Sequence, residues 1–581
     1  MEFAFKKSSA LVNKKFAELF FPTILATASI YLGNVINGII VGNLIDPLAM
    51  ASIYACIPLN QASISLTHLI SLGAVGMIAV AAGARENDKA DYIYSIVLTL
   101  GLICSFFIIA LAPFNAEISK ILSPEEELQG YIEIYLSIFI YRTALMVFII
   151  VFRNLLRVEG LAKIISRSAV IQQVLSFVLT IIFVGYIPFG IYGAGVALII
   201  GDIVSFIYML ISYGFFKERK RRFINIFRYG LKKLFEQIIL ICKTGFPGFI
   251  ALILATLKVW TIYQVLGELG GASSMVMYSI CIACISILGV LVGACCDSSM
   301  PIIGLLFGEK DFLGVRQMLK QVLKVALTLI ICFVAFVEIS PLTILNIYNV
   351  PASMLEGGAA ALRLFVPSLI GVAFFNVIIN YYSVIKQRKA ATLASVVEGF
   401  LIILPAVFIL SKLFGVNGVW LSFGVTEIIS VIILIIYVKI FGEHSKDIFL
   451  MEKQNPEILY DVSLKATTEN SVKVSAESIK VLKNNSIENN SALKVGVALE
   501  EMILNIEKVA AGKTVNVDII IGVTHEKNLL ILLRDNGKIF NPVNYQPEED
   551  FATDGIILLK ALASKIEYNR ILGLNQTVIE I

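Results

Sequence analysis

The sequence predicts an α-helical integral membrane protein, with 12 transmembrane helices in two six-helix repeats, followed by a cytoplasmic α+β sandwich domain. Three observations carry this expectation. The 581 residues are 58% hydrophobic and 15% charged, against about 45–50% apolar and about 25% charged in soluble domains, which excludes one ordinary water-soluble globule. Apolar runs of roughly 20 residues recur from Phe16 to Phe441, each long enough to cross a ~30 Å hydrocarbon core. Residues 445–581 hold 15 Lys/Arg and 19 Asp/Glu and no such run, so they read as a separate soluble unit.

The predicted spans of a first lobe (1–216) cover 16–41, 49–77, 92–113, 131–152, 165–186 and 190–214. Those of a second lobe (238–444) cover 238–266, 275–305, 318–342, 358–385, 391–411 and 418–441. Lys6, Lys7, Lys14 and Lys15 precede the first span without a small-residue cleavage site, so that span reads as an uncleaved anchor. Loops 84–91, 153–168, 217–235, 306–324 and 386–389 hold 21 Lys/Arg, against Lys120 and Lys412 in the loops on the other side. Positive loops resist translocation. Both termini are therefore expected in the cytoplasm, below a multi-pass bundle in the plasma (inner) membrane. The basic linker 217–237 fits a topology-fixing loop that touches anionic lipid. The tail is net acidic and has no basic patch, which argues against nucleic acid as a partner. All eight cysteines fall in apolar runs, where cysteine acts as a small hydrophobe.

The chain repeats itself at an offset of 225 residues. Phe21-Pro22 returns as Phe246-Pro247, Gly42 as Gly267, Gly83 as Gly308, Phe189-Gly190 as Phe414-Gly415 and Ser205 as Ser430. Asp202 returns as the acidic Glu427. Two halves that both start inside form a parallel repeat about an axis along the membrane normal, an arrangement that rocks to open a central cavity alternately to each side.

VGNLIDPLAMAS after the first span, GARENDKA after the second, RVEGLAK after the fourth and FGIYGAGVALIIGDIVS through the sixth resemble MATE-type multidrug exporters. LFGEKD and FGVNGVWLSFGVTEIIS echo them in the second half. The resemblance covers residues 10–441. It implies two six-helix lobes around a V-shaped cavity and efflux of small cationic or amphipathic compounds, driven by H⁺ or Na⁺.

A charge near mid-membrane costs about 2.5–3.5 kcal/mol on insertion scales and calls for a reason. Asp202 and Glu427, each followed by a serine at i+3, read either as a pair of ion-coupling carboxylates or as structural hydrogen-bond acceptors. Glu398 and Glu338 are further ion-coupling candidates. Lys258 and Arg142 are buried cations expected to pair with these acids. One position departs from the family, which often has an aspartate in the first span where this chain has Asn37. An amide does not exchange a proton near neutral pH, so the family's usual proton site does not carry over there.

In the tail (456–581), strand-like runs at 460–467, 515–524 and 528–537 surround a helical stretch at 491–510. A late helix at 554–565 and a terminal hairpin follow. Glu501-x-x-x-Asn505, Asp535-Asn536-Gly537 and Gly555 resemble the GHKL ATPases, most closely the anti-sigma-factor serine kinases. The resemblance implies Mg-ATP as cofactor. Glu501 would be the general base, and Asn505 the oxygen ligand for the magnesium that arrives with ATP. Lys508 would meet a phosphate, Asp535 the adenine amino group, and Gly537 would let the backbone approach the base. Gly555 would start a helix whose N-terminus meets phosphate, and Thr577 near the terminal hairpin is a further nucleotide-binding candidate. A kinase-like tail also implies a protein partner. Gly512-Lys513-Thr514 is not a P-loop, because Glu507 stands where a glycine is required. Two other readings stay open: a membrane sensor with a serine-kinase output, and an exporter or flippase of a lipid or anionic substrate.

Overall fold

Backbone polar groups in hydrocarbon must be satisfied within their own segment, which makes long apolar runs helical. A computed structural model describes residues 6–44, 56–122, 126–187, 189–214, 222–347, 350–441, 447–450, 457–523, 528–545 and 555–581. Within them, the side chains of 30–44, 57–58, 121–122, 126–128, 131 and 272 are not described. Helix α1 (Ala10–Leu44) lies over the first predicted span. Among the described residues 11 further helices are long and apolar enough to cross a membrane. The first lobe contributes α2 (Leu59–Gly83), α3 (Asn87–Lys120), α4 (Ile132–Val158), α5 (Ala162–Tyr186) and α6 (Gly190–Gly214). The second contributes α7 (Gly230–Gly271), α8 (Ser273–Gly308), α9 (Phe312–Ile339), α10 (Ala352–Val384), α11 (Arg388–Phe414) and α12 (Val416–Phe441).

The helices run past the predicted spans at their charged ends, α2 to Gly83 and α8 to Gly308, because a helix continues into polar sequence after its apolar run stops. Helices α7 and α8 turn into one another at Gly271, whose φ of 60° and ψ of −157° suit only glycine. Large apolar side chains such as Phe106, Phe107, Trp260 and Ile436 remain exposed on the bundle, as a hydrocarbon solvent allows.

The lobes come into backbone contact where α2 and α8 cross. A Cβ on Gly83 would strike the Leu305 carbonyl, and one on its repeat mate Gly308 would strike the Val80 carbonyl. Arg157 of α4 adds a 2.9 Å ion pair to Asp297 of α8 across the same seam.

The tail has the order β1 (Ile458–Lys465), α13 (Thr468–Asn484), α14 (Asn489–Ala510), β2 (Asn516–Val523), β3 (Leu529–Asp535), α15 (Gly555–Leu562), β4 (Lys565–Ile571) and β5 (Leu574–Glu580). Its antiparallel sheet has the order β1-β2-β3-β5-β4. Side chains alternate across a strand. Val517, Ile519, Leu533 and Ile579 face a core shared with Val495, Leu499 and Ile503 of α14. Ile520, Leu532 and Val578 lie on the opposite face. That second face rests on the bundle. At the β4–β5 turn Leu572 and Gly573 both have positive φ, 55° and 74°, the geometry of a tight hairpin. Leu572 is buried in the bundle's own core, against Gly160 at the end of α4.

Candidate functional sites

Asp202 of α6 is fully buried. Its Oδ2 takes a 3.1 Å ion pair from Arg142 Nε of α4, and its Oδ1 accepts from the Gln172 side chain of α5. Gln172 in turn accepts from Arg153 Nη2 at 2.6 Å. Glu427 of α12 is held differently. Its Oε2 is buried with no hydrogen-bond partner among the described residues, and it presses on Gly371, where a Cβ would collide with it. Glu398 of α11 pairs with Lys258 of α7 at 3.6 Å, and both lie within electrostatic reach of Glu427. The repeat thus equates Asp202 and Glu427 in sequence but not in surroundings. The position related to Arg142 is Pro367, which supplies no cation. Glu338 lies at the far end of α9, and its buried Oε1 has no partner among the described residues. Asn37 lies in α1, and its side chain is outside the described residues.

A second charged cluster joins the tail to the bundle. Arg534 of β3 pairs with Glu309, with Asp311 at 2.9 Å and with Asp518 at 2.9 Å. Lys7 reaches Asp461 at 2.8 Å and Asp311 at 3.2 Å. Gln576 of β5 donates to Glu309 at 2.8 Å. All these side chains are buried. Burial and the neighbouring acids push Glu309 up to about 7 and Asp461 up to about 6. Burial acts the same way on Asp311, but Lys7 and Arg534 overcome it and hold that carboxyl at about 2. The first lobe is engaged as well. Arg85 pairs with Glu567 at 3.3 Å, and Asn569 donates to Asn87 at 3.2 Å. Arg85 and Lys310, which pairs with Glu457 at 3.0 Å, are repeat mates. One sheet face therefore bridges both lobes beside the Gly83–Gly308 contact.

On the other sheet face, Asp535 Oδ1 accepts from the Gly537 amide at 2.7 Å and from Asn575 Nδ2 at 2.9 Å. Tyr568 and Arg570 each donate to Asn575 Oδ1 at 2.7 Å. Burial pushes Asp535 up to about 6. Glu501 and Asn505 sit one turn apart on α14, and the Asn505 amide donates to the Glu501 carbonyl at 2.8 Å. Gly555 opens α15 against Glu501, and a Cβ there would run into that carboxylate. Thr577 is buried on the same face as Asp535, opposite Leu533. Lys508 is exposed near the end of α14. The structure thus brings Asp535 to Gly537 and Glu501 to Gly555.

The MatE family model matches residues 22–182 and 247–409, one match per lobe and together more than half of the chain. The chain belongs to the MatE family. Its first match begins at Pro22 and its second at Pro247, the 225-residue offset seen in the sequence. Multidrug export protein MepA of Staphylococcus saprophyticus is 22% identical over 443 residues, covering 74% of this chain and 95% of that protein. MepA of Staphylococcus aureus is 22% identical over 432 residues, covering 73% and 92%. Among solved structures, an outward-facing multidrug resistance MATE family transporter of the MOP superfamily is similar with a TM-score of 0.68. It is 18% identical and covers 74% of this chain and 97% of that one. A MOP superfamily transporter from Pyrococcus furiosus is similar with a TM-score of 0.67, the same identity of 18% and the same coverage of 74% and 97%.

In this MatE bundle the glycine loops GARENDKA and LFGEKD are where the tail attaches. Sequence reasoning passed over Glu309, Asp311 and Arg534, since only strand register and docking reveal them. It also counted Arg153 among the loop charges, whereas α4 carries that residue into the lobe interior. Asn575 was missed for a similar reason, because only the pairing of β3 with β5 sets it opposite Asp535.

Proposed function

We propose that this MatE chain exports small cationic or amphipathic compounds by ion-gradient-driven antiport with alternating access. We further infer that its C-terminal domain binds Mg-ATP and modulates transport. MatE membership, the two-lobe repeat and the MepA relatives support the transport reading. The basic loops support a cytoplasmic tail in a plasma-membrane protein, because Arg85 and Lys310 are the loop cations that the tail engages. The observation that carries modulation is the adjacency of Arg534 and Asp535 on β3. Arg534 points to both bundle acids and Asp535 to the corner that would hold adenine. A shift of one strand end would be felt on both faces. The features that support a nucleotide reading of the tail are a buried carboxylate beside a glycine, Asp535 and Gly537, and Gly555 at a helix start beside the Glu501 carboxylate. Asn505 would hold the magnesium that accompanies the phosphates.

The test is dye efflux from proteoliposomes under imposed H⁺ or Na⁺ gradients, with and without Mg-ATP. Efflux driven by a gradient and changed by nucleotide is expected. No efflux under either gradient, with or without nucleotide, would overturn the transport reading.

A further inference from the structure

The first lobe contains a buried cation, Arg153, that forms no ion pair with a carboxylate among the described residues. Asp202 divides its two oxygens between Arg142 and the neutral Gln172. Arg153 is left over. It is 5% exposed, its Nη2 donates only to the Gln172 amide oxygen, and its Nε has no partner among the described residues. The group Arg142–Asp202–Gln172–Arg153 therefore carries one net positive charge inside the lobe. Residues of α2, α4 and α5 close around it to leave a cavity of ≈ 130 Å³, lined by both arginines and by the side-chain amides of Asn60, Gln172 and Gln173. Such a donor set has the chemistry of an anion site.

We propose that this cavity binds the anionic head, a carboxylate or phosphate, of an amphipathic compound, with Arg153 as its principal contact. Cavities that bury a drug-sized molecule run to about 300–1,000 Å³. At ≈ 130 Å³ this one takes a head group alone. A monocation is repelled by the net charge. As a statement about substrate the inference rests on the transport reading and develops its amphipathic branch, with amphipathic acids or zwitterions as the compounds this cavity takes.

The test uses the full chain, purified in detergent, with thermal stability read against octyl phosphate, benzoate, inorganic phosphate and octyltrimethylammonium. Saturable stabilisation by octyl phosphate and benzoate is expected, with none by the ammonium compound through this site. R153Q is expected to weaken the octyl phosphate midpoint at least tenfold, and R153K to retain part of the affinity. If R153Q does not fold, the wild-type comparison of octyl phosphate with octyltrimethylammonium decides alone, and equal response to both overturns the proposal. An unchanged midpoint in folded R153Q overturns it too. Stabilisation in nanodiscs containing phosphatidic acid, with the free anions inert, would assign the head group to a lipid. Dye efflux that persists without any anion preference removes this inference and leaves the transport reading standing. Anion binding without gradient-driven efflux does the reverse.

Discussion

Replacing Arg534 by alanine should release the tail from the bundle. The guanidinium is 2% exposed and lies among three acids, two from the bundle (Glu309, Asp311) and one from the tail itself (Asp518). Removing one partner of a buried ion pair costs about 3–5 kcal/mol, mostly because the opposite charge is stranded. With two of three contacts crossing the interface, docking should lose about 2–3 kcal/mol, a weakening of roughly 30- to 150-fold. Hydrogen exchange in nanodiscs reads this directly. Peptides covering 305–316 and 565–578 should exchange faster, while the α13–α14 core keeps its protection. The double variant R534A/E309A should recover part of the loss, since the stranded carboxylate is gone. Unchanged exchange at 305–316 in a folded R534A protein would refute the reasoning.

Acidification should first tighten this interface. Burial pushes docked Glu309 up to about 7 and Asp461 up to about 6, above the 4.5 and 3.8 of the free groups. The docked state then holds protons that the exposed state releases, so docking strengthens as pH falls from 7.5 to 5.5. It weakens again below about 4, where Asp311, held at about 2 when docked, loses its advantage. The same exchange experiment run against pH checks both limbs. D202N should lower the melting temperature by leaving Arg142 buried without its ion pair, a loss of about 3–5 kcal/mol. E427Q should be close to neutral or stabilising while slowing gradient-driven efflux, and a strongly destabilised E427Q would contradict that contrast. G83A and G308A should each force the lobes apart by placing a methyl on a backbone carbonyl. A cost of about 1–3 kcal/mol is expected, seen as reduced efflux and as loss of a disulfide engineered across the α2–α8 seam. D535N should reduce binding of labelled ATP at least tenfold while leaving R534-dependent exchange protection in place.

The sequence alone determined much of this protein, because a bilayer imposes a simple rule. Apolar runs long enough to span it become helices, and repeated glycines and prolines at one offset reveal two related lobes. Loop charges carry the expectation for which way the topology runs, and Asp202 and Glu427 were visible as acids out of place. What those acids do was decided only by packing. Arg142 and Gln172 come from separate helices to lock Asp202, while Glu427 has no equivalent cation because its lobe carries Pro367 at the matching position. Arg153 looked like a loop charge until α4 carried it into the lobe. In the tail, alternating hydrophobicity located the strands, but both strand faces are apolar in part, and which one met the bundle was not legible. Strand register set Asp518, Arg534 and Gln576 on one face and Asp535, Asn575 and Thr577 on the other. Charges brought together from residues 7, 309, 311, 461, 518 and 534 leave no local signature. Their partners are chosen by the docking of two folded units, a long-range event that no short stretch of sequence encodes.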